Sequence, residues 1–185
     1  MEDTKIIDLF FQRSEQALRE LDLSYGKSFK KLSYNIVNSR EDAEECVSDA
    51  YLGAWNTIPP LQPDPLFSYV CKIVRNISLN VYHRKKAAKR NSIYDVAMQE
   101  LEDCLPARAT VETELEAKEL TRLIERFLDT LTAENRIIFM RRYWFSDTYA
   151  DIAKQVGLTE KNVSVRLTRI RRKLREYLIQ REASL

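Results

Sequence analysis

Glycine is scarce in this chain, with three residues in 185. Three cannot build the glycine-rich loop that cradles a nucleotide phosphate. Histidine occurs once, at His83. No serine or cysteine nucleophile can therefore be matched with a second histidine, and His83 reads better as a surface residue or phosphate neighbour than as a catalyst. The three cysteines, Cys46, Cys71 and Cys104, are odd in number and widely spaced. They form neither a metal-ligand pattern nor a disulfide framework, so reduced, structural thiols in a cytosolic protein are expected. No long apolar run occurs and the N-terminus is charged, which argues against a signal peptide or membrane insertion and for a cytoplasmic protein. No catalytic constellation stands out, and no cofactor or metal is expected.

What is present is helix-forming material. The hydrophobic share is 44%, enough for real cores, and three glycines with five prolines suit a mainly helical chain. Net charge is only +2, so affinity for nucleic acid has to be argued from how charge is segregated. Acid gathers in Glu41, Asp42, Glu44, Glu45 and Asp49. Base gathers in Arg84, Lys85, Lys86, Lys89 and Arg90, and again along the last helix.

The periodicity predicts an opening helix carrying Ile6, Leu9, Phe10 and Leu18, then a second from Tyr25 to Val37. A third runs from Asp42 to Trp55 with Ala43, Val47, Ala50 and Ala54 inward. After the proline-rich stretch 58–65, a long helix from Phe67 to about Lys86 turns Phe67, Val70, Val74, Ile77 and Val81 inward. The pattern weakens over 91–111, which reads as a linker, although Ile93 to Leu101 has the spacing of a short helix. Helical patterns resume from Glu112 to Leu128 and from Ala133 to Tyr143, the latter with Thr132 as N-cap. The expected fold is all-α: a domain over 1–90, a flexible linker over 91–111, and a second small domain over 112–180 that is a helix-turn-helix.

The helix-turn-helix is the most telling segment. Tyr149, Ile152, Ala153 and Val156 make the apolar stripe of its first helix. Gly157 can end that helix in the left-handed conformation, and Thr159 can cap the next. The second helix keeps Val163, Leu167, Ile170, Leu174 and Leu178 in phase. At about 100° per residue, the opposite face holds Lys161, Val165, Thr168, Arg169 and Arg172, with Ser164, Arg166, Arg171, Lys173 and Arg175 on the flanks. Flanking cations suit phosphates, and outward residues suit base edges: Arg169 a guanine, Val165 or the Thr168 methyl a thymine methyl.

Two further surfaces follow. The outer face of the third helix carries Glu41, Asp42, Glu45, Asp49 and an apolar Leu52, suited to a basic helical partner. The long helix points Lys72, Asn76, Leu79 and His83 outward, with Tyr69, Arg75 and Lys86 nearby. Cations that track a backbone beside aromatic faces suit single-stranded nucleic acid, and the 58–65 loop could wall a pocket for an extruded base.

These stretches resemble a known family. REDAEECVSDAYLGAWNTI is similar to the second conserved region of bacterial RNA polymerase sigma factors. LFSYVCKIVRNISLNVYHRKK resembles the promoter-melting and recognition helix that follows. LTAENRIIFMRRYWFSDTYADIAKQVGLTEKNVSVRLTRIRRKLRE resembles the fourth region. The two-domain form with a short tether looks like the extracytoplasmic-function (ECF) type of the sigma-70 family. The resemblance implies that Asp42, Glu45, Asp49 and Leu52 bind the clamp helices of core RNA polymerase. It implies that Lys72, Arg75, Asn76, Asn80 and the 58–65 loop bind and open the minus-ten element, with His83 and Lys86 adding charge beside the backbone. Lys161, Ser164, Val165, Thr168 and Arg169 would then read the minus-thirty-five element, with Arg166 and Arg172 beside them. Promoter DNA, duplex and single-stranded, is the implied ligand, and an anti-sigma protein is a family partner. A free-standing helix-turn-helix regulator and a polymerase-binding module without promoter specificity are the rival readings. A simple regulator does not need the acidic helix followed by the Asn76 helix, and alanine at Arg169 and Thr168 separates the second rival, since a sigma factor would lose promoter-selective transcription and keep polymerase binding.

Overall fold

The computed structural model describes residues 2–85, 92–105 and 114–182. Among them are nine α-helices and no strand. The chain divides into two compact units, one up to Ile93 and one from Tyr94 onward.

The first unit holds α1 (Asp3–Phe11), α2 (Gln16–Val37), α3 (Arg40–Thr57) and α4 (Leu66–Lys85). The helices α2, α3 and α4 pack against one another around Leu21, Phe29, Leu32, Ile36, Val47 and Val74, all buried. The boundary between α1 and α2 departs from the sequence expectation. Arg13 takes a left-handed φ of 52°, so the chain turns there, and Leu18 belongs to α2 and not to the opening helix. Helix α2 also begins well before Tyr25 because its apolar phase, Ala17 and Leu21, extends upstream. It ends on Asn38 at φ 53°, an αL cap that asparagine tolerates. The Ser39 hydroxyl accepts the Asp42 amide at 3.4 Å and starts α3.

On α3 the inward set Ala43, Val47, Ala50 and Ala54 is buried as expected. On α4 the register is turned slightly. Val70 and Val74 are buried, but Cys71, Ser78 and Tyr82 share the core while Phe67, Ile77 and Val81 are only half-buried. The cause is polar. The Ser33 and Ser78 hydroxyls meet at 2.8 Å between α2 and α4, and Ser78 also donates to Val74 O at 2.7 Å. A paired hydroxyl can occupy a core position that an apolarity count assigns to its neighbour.

The second unit holds α5 (Ile93–Glu102), α6 (Glu114–Asp129), α7 (Ala133–Tyr143), α8 (Tyr149–Val156) and α9 (Glu160–Glu182). Its core joins Phe127, Ile138, Phe139, Ile152, Val163, Leu167, Ile170 and Leu174. Helix α5 lies within the stretch expected to be linker. Its Ala97, together with Cys104 just beyond it, belongs to this core, with Met98 and Leu101 packed against it. The helix is therefore part of the second unit and not tether.

Candidate nucleic-acid interface

The helix-turn-helix forms through three local signals. Thr148 caps α8, accepting the Asp151 amide at 3.1 Å. Gly157 closes α8 at φ +68°, where a side chain would be strained. Thr159 accepts the Asn162 amide at 3.2 Å and opens α9. All five apolar residues expected on the inner face of α9, Val163, Leu167, Ile170, Leu174 and Leu178, are buried. Lys161, Val165, Thr168, Arg169 and Arg172 are exposed together on the other side. Val165 stands 39% exposed in the middle of these cations.

The flanking residues behave differently from one another. Ser164 is half-buried. Arg166 pairs with Glu134 of α7 at 2.6 Å. Beside that pair a groove of about 390 Å³ runs from the capped start of α7, at Thr132, to Arg169, Arg172 and Lys173. Cations next to the amide end of a helix suit a phosphate.

Arg171, expected to face phosphate, is instead held inside the protein. Its Nη1 donates to Glu100 Oε2 at 3.2 Å and to the Tyr143 hydroxyl at 2.9 Å. Glu100 is a hub. It also accepts from Arg142 Nε at 3.1 Å, from Arg142 Nη2 at 2.6 Å, from the Tyr149 hydroxyl at 3.1 Å and from the Tyr143 hydroxyl at 3.4 Å. Arg142 is 4% exposed and donates its remaining bond to Asp147 O at 3.0 Å. Burial raises the pKa of the Tyr143 hydroxyl, which keeps it protonated and able to donate to Glu100 while accepting from Arg171. Sequence reading missed Glu100 and Arg142. A signal existed: Ala97, Leu101 and Cys104 define an inward stripe, and Glu100 sits on it.

In the first unit the outer face of α3 exposes Glu45, Asp49 and Leu52, the last at 59%. A groove of about 660 Å³ lies alongside, bordered by Leu18, Tyr51, Leu52 and Trp55. Tyr51 is anchored by its hydroxyl to Asp22 at 2.8 Å. Asp42 departs from the expected set. It is half-buried, and Lys85 at the end of α4 donates to it at 2.7 Å. On α4, Lys72, Asn76, Asn80 and His83 are exposed, while Arg75 and Leu79 are half-buried. Tyr69 is half-buried and donates to Thr57 Oγ1 at 2.8 Å, tying the two ends of the 58–65 loop together. Lys86 lies outside the described residues.

Comparison with protein families decides the assignment. Residues 21–89 match the model of sigma-70 region 2, and residues 121–174 match that of sigma-70, region 4. The chain belongs to the sigma-70 family. The region 2 match covers most of α2 with α3 and α4, and the region 4 match covers the second half of α6 with α7, α8 and the greater part of α9. Sigma factors are regulatory proteins of transcription initiation. Among solved structures, that of CnrH in complex with the cytosolic domain of CnrY is similar at a TM-score of 0.45 and 18% identity, covering 96% of this chain and 97% of that one. No curated protein matches the chain. Among the described residues no helix is long and apolar enough to cross a membrane, and no cluster of potential ligands for a metal ion occurs.

Proposed function

We propose that this sigma factor is of the ECF type, binding core RNA polymerase through region 2 and directing it to promoters with two separate DNA readers. Glu45, Asp49 and Leu52 on α3 engage the polymerase clamp helices, and Asp42 contributes through its pairing with Lys85. Lys72, Arg75, Asn76, Asn80 and His83 on α4, with the 58–65 loop, take the minus-ten strand and help hold it open. Helix α9 enters the major groove at the minus-thirty-five element, with Lys161, Arg169 and Arg172 outward and Ser164 and Arg166 at its edge.

The observation that carries this reading is the division of α9. One face is wholly core, and the other is an exposed field of cations around Val165 and Thr168. Such a helix, placed second in a helix-turn-helix, docks in a major groove. The protein works in the cytoplasm, and an anti-sigma protein covering the same faces would silence it.

The test is transcription in vitro with purified chain and core polymerase on genomic templates, followed by mapping of start sites. Start sites sharing an upstream and a downstream element are expected. Leu52→Asp abolishes association with polymerase. Arg169→Ala keeps association and loses promoter selectivity. The free protein binds isolated duplex weakly, because the polymerase aligns the readers. Tight, sequence-specific binding by the free chain would favour a free-standing regulator instead.

A further inference from the structure

We propose that Glu100 is a positioning residue for the duplex reader. Acting through Arg171, it leaves α9 presenting a paired apolar contact, Val165 and the Thr168 methyl, fitted to a thymine methyl. The inference rests on the reading of α9 as the minus-thirty-five reader.

The argument starts at Thr168. Its hydroxyl donates to Ser164 O at 2.9 Å and accepts from Arg171 Nη2 at 3.3 Å. A hydroxyl has one proton to donate and two lone pairs. Here the proton is engaged and one lone pair faces a guanidinium. What Thr168 has left for a base edge is its methyl group and one lone pair, with no proton to donate. Val165, three residues earlier and exposed, offers only carbon. Residues three apart on a helix are neighbours, so the two form one small apolar surface ringed by Lys161, Arg169 and Arg172. In the major groove the thymine C5 methyl is the apolar group a base edge displays. The surrounding cations meet phosphates and hydrogen-bonding edges, and the apolar pair meets thymine.

The geometry depends on Arg171 staying where it is. One nitrogen of its fork is fixed by Glu100 and Tyr143, and the other reaches Thr168. Removing the charge at Glu100 frees a cation on the flank of α9 for DNA phosphate and releases the Thr168 hydroxyl. Helix α5, outside the matched region 4 segment, thus becomes part of the promoter reader.

The experiment uses the full chain with core polymerase on a promoter at which that complex starts transcription. Each thymine of the upstream element is replaced singly by deoxyuridine, which removes only the methyl. Binding should weaken about fourfold at one or two positions, the worth of one buried methyl group. Val165→Ala and Thr168→Ser, which keeps the hydroxyl, should each erase that sensitivity. Glu100→Gln should also erase it, and should steepen the log–log salt dependence of binding by about one, the signature of one added phosphate contact. A purely structural role for Glu100 would lower stability without adding to that slope.

If Glu100→Gln does not fold, Arg171→Lys takes its place, keeping the charge but losing the two-ended fork. Loss of thymine sensitivity in that variant supports the inference, and sensitivity equal to the parent overturns it. Uniform indifference to deoxyuridine on a promoter that still needs its upstream element also overturns it. Start sites that ignore the upstream element altogether would instead overturn the function proposed for α9.

Discussion

Arg142→Met should unfold the second unit at a much lower temperature while leaving the first untouched. Arg142 is 4% exposed, makes two bonds to Glu100 and one to Asp147 O, and lies over the Tyr149 ring at 4.9 Å. Methionine matches its bulk but leaves Glu100 short of its shortest partner and Asp147 O without this donor. Breaking one side of a buried ion pair costs about 3–5 kcal/mol. Glu100 keeps Arg171 and two tyrosine hydroxyls, so the lower end, about 3 kcal/mol, applies. For a unit of this size each kcal/mol moves the midpoint by roughly 4–8 °C, giving a fall of about 12–24 °C. The tryptophans make the assay direct, since Trp55 lies in the first unit and Trp144 in the second. Thermal unfolding followed by fluorescence, with Trp55→Phe isolating the second signal, separates the two transitions. Arg172, exposed and paired with the likewise exposed Glu176 at 3.8 Å, is the control, and its alanine variant should cost no more than about 1 kcal/mol. A loss under about 1 kcal/mol for Arg142→Met, or an equal fall in both transitions, would refute the assignment of the Glu100 hub as the link between α5 and the helix-turn-helix.

Two other outcomes follow from local geometry. Ser146 sits at φ 54° and its buried hydroxyl has no partner among the described residues, so Ser146→Gly should stabilise the second unit by about 1 kcal/mol, seen as a higher midpoint in the same melt. Burial raises the pKa of the Cys46 and Cys104 thiols and, with Asp22 and Glu100 nearby, of the Tyr51 and Tyr143 hydroxyls. The folded state therefore holds these protons more tightly than the unfolded one. The stability they contribute is complete below the unfolded thiol value of about 8.5 and falls as pH rises through the thiol and then the phenol range. Urea midpoints should drop steadily above about pH 9, and a flat alkaline profile would contradict this.

Most of the helix-turn-helix was legible in the chain itself. Gly157 and Thr159 act on their own neighbours, and an apolar repeat of five residues leaves α9 only one way to turn. The acidic face of α3 was legible for the same reason, since Ala43, Val47, Ala50 and Ala54 fix its phase. Local hydrogen bonds and helical periodicity need no knowledge of distant residues. The position of α5, the engagement of Arg171 by Glu100 and Tyr143, the engagement of Asp42 and the burial of Ser78 were not legible. Each depends on a partner from another helix: Glu100 with Arg142 and Arg171, Lys85 with Asp42, Ser33 with Ser78. A charged or hydroxyl side chain looks solvent-facing in a linear pattern, and only packing brings up the group that lets it be buried. The sequence by itself determined which faces exist, whereas the tertiary structure decided which of their charged groups are held by partners from other helices.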